Sequence, residues 1–319
     1  MDNKDKKILY ELDKNSRATY SQISKATRIS KETVRYRINN LTKEGVIRKF
    51  LTVINSSKLG NSFYQITLKL QNIDEKKKRR IIDFLKDSNH VAWIGNLEGN
   101  YDIAFILYMK NQLELQKFVK ILYEKFSKSI MRKTLSINLN AEFFNRDYLV
   151  NKKRTLIKKN SYESYDKFLK LDATDKKICS LLGKDARMSS VEISNKISIS
   201  ADSVSRRIKN LEKEGVIQGY TLVMNQDKME QSHYKILLHL NNISKEKEDQ
   251  MISVIRFNNK VIAIVKVLAD WDYEIDLEVE NINLMKEFTM ELTNKFSEII
   301  RDYESIRVIN MPKYNFYPD

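Results

Sequence analysis

At 319 residues, with 42% apolar side chains and no run near the roughly 18 apolar residues of a membrane span, the chain has material for two to four small domains and none for a transmembrane helix. One cysteine, Cys179, and three histidines, His90, His233 and His239, without His-x-x-x-His or Cys-x-x-Cys spacing, exclude a disulfide framework, and no metal or cofactor is expected. The net charge of +15 points to a polyanionic partner, and a charged N-terminal stretch in place of a signal peptide predicts a cytoplasmic protein without membrane association.

The chain repeats itself at a constant offset of 170 residues. Asp5-Lys6-Lys7-Ile8 returns as Asp175-Lys176-Lys177-Ile178, and Glu44-Gly45-Val46-Ile47 as Glu214-Gly215-Val216-Ile217. That period is domain-sized and too long for a solenoid, so it reads as a duplication. In chain order, Ile8, Leu9 and Leu12 mark a first helix, and Thr19-Tyr20-Ser21-Gln22 opens a second with a capping box; Ser189-Ser190-Val191-Glu192 does the same in the second copy. A third helix follows Ser30 or Ser200, burying Val34, Ile38 and Leu41, or Val204, Ile208 and Leu211. Gly45 or Gly215 ends it, and an extended wing follows, Phe50 to Ile54 or Tyr220 to Met224. Two short helices, a longer one and a β-wing predict a winged helix-turn-helix, once at 1–55 and again at 172–225.

A recognition helix keeps its apolar stripe inward and its donors outward. With the stripe fixed, the wheel places Glu32, Thr33, Tyr36, Asn39, Asn40 and Lys43 outward and Lys31, Arg35 and Arg37 on the flanks. The second copy presents Ser203, Ser205, Arg206, Lys209 and Asn210, with Arg207 on its flank. Arg and Asn can read base edges, whereas Lys and Ser mostly hold phosphate. The plain alternative is a solvated helix face. Residues 1–55 hold 13 Lys and Arg against 6 Asp and Glu, but residues 172–225 hold 9 against 7, so the first head should supply more of the phosphate energy. Two unlike heads predict an asymmetric operator.

After each head the rhythm changes to strand, helix, strand, strand, helix, strand. The predicted elements are Phe63–Leu70, Glu75–Lys86, Val91–Leu97, Tyr101–Met109, Leu113–Phe126 and Met131–Leu139 in residues 56–146, with matching elements from Tyr234 to Ile309 in residues 226–319. That order is the βαββαβ ferredoxin-like sandwich. Residues 147–171 are expected to be a polar linker or partly helical strap. The fold class is therefore α+β, two winged helix-turn-helix domains alternating with two ferredoxin-like domains.

The pattern Asp5, Ile8, Leu12, Arg17, Ile23-Ser24, Ile29-Ser30, Val34, Arg37-Ile38, Leu41, Glu44-Gly45-Val46-Ile47, followed by a βαββαβ module with Gly99-Asn100-Tyr101-Asp102 in a turn, resembles the Lrp/AsnC feast/famine transcriptional regulators. The resemblance implies sequence-specific binding of double-stranded DNA, pairing and homo-oligomerisation through the ferredoxin-like (RAM) modules, and amino acids or related metabolites as effectors. It assigns the effector to the turn Gly99, Asn100, Tyr101 and Asp102. It implies no enzyme activity. Fusion of two units departs from the family and implies an intramolecular pseudo-dimer. The other classes left open are a non-specific DNA-architectural protein and an enzyme like the sirohaem decarboxylases, which resemble the same two-module architecture.

Two further departures concern the second copy. Ala269-Asp270-Trp271-Asp272 replaces the glycine turn, and alanine accepts a positive φ poorly. From Asp270 to Glu280 every other residue is acidic, which puts six carboxylates on one strand face, with Lys235 and His239 nearby. That face is expected to be open, either meeting a basic partner surface or staying wet.

Overall fold

The computed structural model describes residues 1–155, 160–163 and 168–317. The first head consists of α1 (Asn3–Lys14), α2 (Tyr20–Thr27), α3 (Lys31–Lys43) and β1 (Ile47–Ile54). The first sandwich module follows as β2 (Ser62–Leu70), α4 (Glu75–Asp87), β3 (Val91–Glu98), β4 (Ile103–Met109), α5 (Gln112–Phe126) and β5 (Ile130–Phe143). A short strand, β6 (Asn160–Glu163), lies in the connecting segment. The second half repeats the scheme as α6 (Ala173–Lys184), α7 (Ser190–Ile197), α8 (Ala201–Lys213) and β7 (Ile217–Met224), then β8 (Ser232–Leu240), α9 (Lys245–Phe257), β9 (Val261–Leu268), β10 (Tyr273–Val279), α10 (Ile282–Lys295) and β11 (Ile300–Tyr314). No helix among the described residues is long and apolar enough to cross a membrane.

Each third helix ends at a glycine with positive φ, +71° at Gly45 and +67° at Gly215, as a left-handed helix terminus requires. The extended stretch that follows does not fold back on its own head as a wing. β1 pairs antiparallel with β7, Phe50 opposite Leu222 and Val53 opposite Gly219. The reason is hydrophobic. Leu222 and Met224 complete the core of the first head against Ile8, Leu12, Val34 and Ile38, while Leu51 and Val53 complete that of the second against Ile178, Leu182, Val204 and Ile208. Each head thus closes its core with a strand of the other half. Cys179 belongs to the second head's core, and burial pushes its thiol up to about 12.

Within the modules the strand orders are β3-β4-β2-β5 and β9-β10-β8-β11. Both last strands are long enough to serve two sheets. β5 runs beside β2 and then crosses to β9, and β11 runs beside β8 and then crosses to β3. Eight antiparallel strands therefore close on themselves, and β6 adds to β5 outside the ring. Helices cover the outer faces: Ile66, Leu68 and Phe105 pack against Ile81, Leu85 and Phe118, and Ile236 and Ile275 against Met251 and Phe288. The connecting segment, expected to be a partly helical strap, holds a 3-10 turn at Asp147–Val150 and the strand β6; residues 156–159 and 164–167 lie outside the described residues.

The acidic face of β10 is not open. Tyr273, Ile275, Leu277 and Val279 do face the helices, but the alternate residues point into the space between the two sheets, where Glu274, Asp276 and Glu278 are buried. Lys235 lies 2.8 Å from Glu274 and 3.1 Å from Asp276, and His233 2.8 Å from Asp276. Arg146 reaches Glu278 at 2.7 Å through Nε and 3.0 Å through Nη2, and Asp13 at 2.7 Å through Nη1. The basic surface that meets these carboxylates is part of the same chain. Alternation located the face correctly but could not show that a second sheet covers it. His239 stays at the rim, with Nδ1 3.0 Å from the Asp270 carbonyl.

Candidate nucleic-acid interface

The heads are built on caps that recur in both copies. Ser30 Oγ accepts from the Thr33 amide and Ser200 Oγ from the Ser203 amide, each at 3.2 Å, which fixes where α3 and α8 begin. Thr19 with Gln22 and Ser189 with Glu192 form complete capping boxes at α2 and α7. Removing the hydroxyl in Ser30→Ala is expected to cost about 1 kcal/mol in chemical denaturation. A cost indistinguishable from zero would mean that the cap adds nothing to the head.

On α3, Lys31, Arg35 and Tyr36 are exposed, Tyr36 at 65%. Thr33 and Asn40 are half-buried, and Thr33 Oγ1 shares a 2.8 Å hydrogen bond with Ser30 Oγ. On α8, Arg206 and Lys209 are exposed, Ser203 is half-buried, and Ser205 Oγ lies 3.1 Å from Ser190 Oγ. Two residues of the expected set are turned away. Arg37 Nη1 donates to Asp2 and Asp5, both at 2.8 Å, and Arg207 Nη1 to Asp172 and Asp175 at 2.7 and 2.8 Å. The two arginines tie the third helix to the N-terminus of the first, and the hydrogen bonds raise both guanidinium groups further above their ordinary value. They act as struts within each head. A helical wheel cannot show this, because the acidic partners stand some thirty residues earlier.

Residues to which the sequence alone gives no role join the heads. Arg17 donates through Nη1 to the Met188 carbonyl at 2.9 Å, and Arg187 to the Ser16 and Ala18 carbonyls at 2.8 and 3.2 Å. Arg17 lies over Tyr220 and Arg187 over Phe50. Lys58 donates to the carbonyl of Glu214, which caps α8, and Lys228 to that of Glu44, which caps α3. All four side chains keep their identity at the 170-residue offset, a signal the sequence does carry. The recognition helices are consequently held relative to one another by reciprocal contacts, with Arg35 and Lys31 in one head matched by Ser205 and Ala201 in the other.

The turn assigned to an effector engages the protein itself. Gly99 has φ +130°, and its carbonyl accepts from Lys69 at 3.0 Å. Asn100 Nδ2 donates to Glu304 of the second half at 2.7 Å, Asp102 accepts from the Leu70 amide at 2.7 Å, and Tyr101 is buried under the Arg132 guanidinium. The corresponding Ala269 has no positive φ, and Trp271 is buried with Nε1 3.1 Å from Glu274.

A family model described as winged helix-turn-helix DNA-binding matches residues 1–48 and 171–218, the two heads. An uncharacterized HTH-type transcriptional regulator of Pyrococcus furiosus is 33% identical over 120 residues, 37% of this chain and 79% of the relative. One of Pyrococcus horikoshii is 34% identical over 120 residues, 37% of this chain and 74% of the relative. The chain belongs to the family of winged helix-turn-helix transcriptional regulators that these two represent. It is a transcriptional regulator with two DNA-binding helix-turn-helix heads. The crystal structure of the siroheme decarboxylase NirDL shares the tandem fold at TM-score 0.62 and 13% identity, covering 99% of this chain and 94% of that one. At that identity the likeness is one of architecture alone.

Proposed function

We propose that this chain is a sequence-specific regulator of the Lrp/AsnC type, and not an enzyme, that reads an operator with two unlike half-sites as a one-chain counterpart of a dimer. The observation that carries the reading is the cross-completion of the heads: the β1–β7 pair and the Arg17 and Arg187 contacts hold two different outward faces in a fixed relation. Lys25, Arg28, Lys31 and Arg35 stand where the second head has Asn195, Ser198, Ala201 and Ser205. Removing one cation that neutralises a phosphate should lower the salt slope of binding by about 0.9. With two cations removed from each head, neutralising Lys31 and Arg35 is therefore expected to flatten the salt dependence more than neutralising Arg206 and Lys209. Equal flattening would overturn the unequal division of labour. Selection from a random-sequence DNA library should return a non-palindromic motif. A palindrome would contradict the two-head reading, and no motif at all would favour an architectural role.

Exposed Met131 and Leu135 on β5 and Leu268 on β9 support association of the chain with further copies through the modules. The shared fold with the decarboxylase NirDL, whose complex with an iron-uroporphyrin III analogue is also solved, favours a second, enzymatic reading. Against it stands the charge balance between the sheets. Lys235, Arg146 and Arg154 are all matched to carboxylates of the protein, so none of the three offers a bare charge to a polycarboxylate tetrapyrrole. Added sirohaem should give no Soret band with this protein; a stable band would reopen the enzymatic reading.

A further inference from the structure

Between the two sheets lies a cavity of about 290 Å³, near the lower end of small-molecule pockets. Asn55, Gln65, Asn138 and His233 line it, at 2%, 2%, 6% and 4% exposure. Each carries a polar atom with no partner among the described residues: Asn55 Nδ2, Gln65 Oε1, Asn138 Oδ1 and His233 Nδ1. Neighbouring bonds fix what these atoms offer. Gln65 Nε2 donates to Glu274 at 2.7 Å, which leaves its oxygen toward the cavity. His233 Nε2 meets the Asp276 carboxylate at 2.8 Å, and in the tautomer that donates there Nδ1 is left as an acceptor. The set is three acceptors and one donor. A buried polar group without a partner costs about 1–3 kcal/mol, so these four favour a guest that satisfies them.

The rest of the lining narrows that guest. Trp93, Tyr108 and Tyr314 give it flat aromatic surface. Lys235 is held between Glu274 and Asp276, Arg154 by Asp147 at 2.9 Å, Arg146 by Asp13 and Glu278, and Lys14 by Glu11 at 3.0 Å, so none leaves a bare charge for a carboxylate or phosphate. A free amino acid would bring a carboxylate that none of these cations is free to meet. We propose that the inter-sheet cavity binds an uncharged, planar nitrogen heterocycle of the nucleobase class, its N–H groups donating to Gln65, Asn138 and His233 and its ring stacking on the aromatic wall. Binding at this site does not depend on the DNA reading; only its use as a regulatory signal rests on that reading.

The chain has two tryptophans, Trp93 in the cavity wall and Trp271 bonded to Glu274, so intrinsic fluorescence reports on the site directly. The full chain is titrated with adenine, hypoxanthine and cytosine, and in parallel with leucine, aspartate and adenosine monophosphate. A saturable change in emission with at least one base, accompanied by a rise in melting temperature, is expected. Gln65→Leu and Asn138→Leu should each raise the dissociation constant at least tenfold while keeping the circular dichroism spectrum. The proposal is overturned if no base alters emission or melting, if both variants bind as the parent does, or if leucine or aspartate displaces the base. None of these outcomes involves DNA, so they leave the operator experiments to stand or fall separately.

Discussion

Alanine in place of Arg146 is expected to lower the unfolding free energy by about 3–5 kcal/mol, the range for breaking one side of a buried ion pair. Arg146 is 8% exposed and sits between Asp13, at the end of α1, and Glu278, on β10. It satisfies Glu278 with two parallel bonds, and its own backbone amide donates to Asp13 at 2.8 Å. Removing the side chain leaves Glu278 with Tyr148 and Gln226, two neutral donors, and no charge to balance it. Arg146→Lys should recover only part of the loss, because a single ammonium cannot make the bidentate contact. Replacing Arg146 and Glu278 together by Met and Leu should cost less than Arg146→Ala alone, since no carboxylate on β10 is then stranded. Urea denaturation with an unchanged slope reads all three. A loss under about 1 kcal/mol for Arg146→Ala would show that water reaches the site.

The second large effect is acid sensitivity. Burial works to raise the Asp276 carboxyl, but Lys235 and His233 outweigh it and hold the group down to about 2 from an ordinary 3.8. Glu278, against the same opposing burial, is held down to about 2 from 4.5 by Arg146 and Tyr148. Carboxyls that titrate lower in the folded protein stabilise it above their unfolded values and lose that contribution as pH falls through the folded values. The window thus runs from about pH 4.5 down to about pH 2, with about 2–3 kcal/mol at stake for each group. Unfolding free energy should fall steeply below pH 4.5, and Glu278→Gln should make the fall shallower. A curve that stays flat down to pH 3 would mean that the carboxylates are solvated.

The helices of the heads were legible because their signals are local. Ser30, Ser200, the capping boxes and the stripe Val34, Ile38, Leu41 all act within a few residues of chain. The module order was legible for the same reason, as strand alternation and helical spacing need no partner. What escaped depends on distance. The wing strands could not be assigned to each other because Phe50 and Leu222 meet across 172 residues of chain. Arg37 and Arg207 stand on the flanks of their helices, but their partners at the start of the first helix lie more than thirty residues earlier. Alternation places the acidic residues of β10 on one face, but it cannot show that this face is covered, because Gln65 and Arg146, which meet it, belong to the first half of the chain.

The crossing strands carry a last consequence. In a pair of identical subunits every contact across the axis occurs twice, so a surface must be complementary to itself before it can pair. Here the two sides are separately encoded, and that restriction is gone. The Asp13–Arg146–Glu278 bridge shows the freedom in use. At the offset positions stand Gly183, Phe316 and Tyr108, a neutral set with no ion pair to form. One flank of the molecule can therefore be tuned by substitution while the other keeps its frame, an independence that no symmetric pair can reach one mutation at a time.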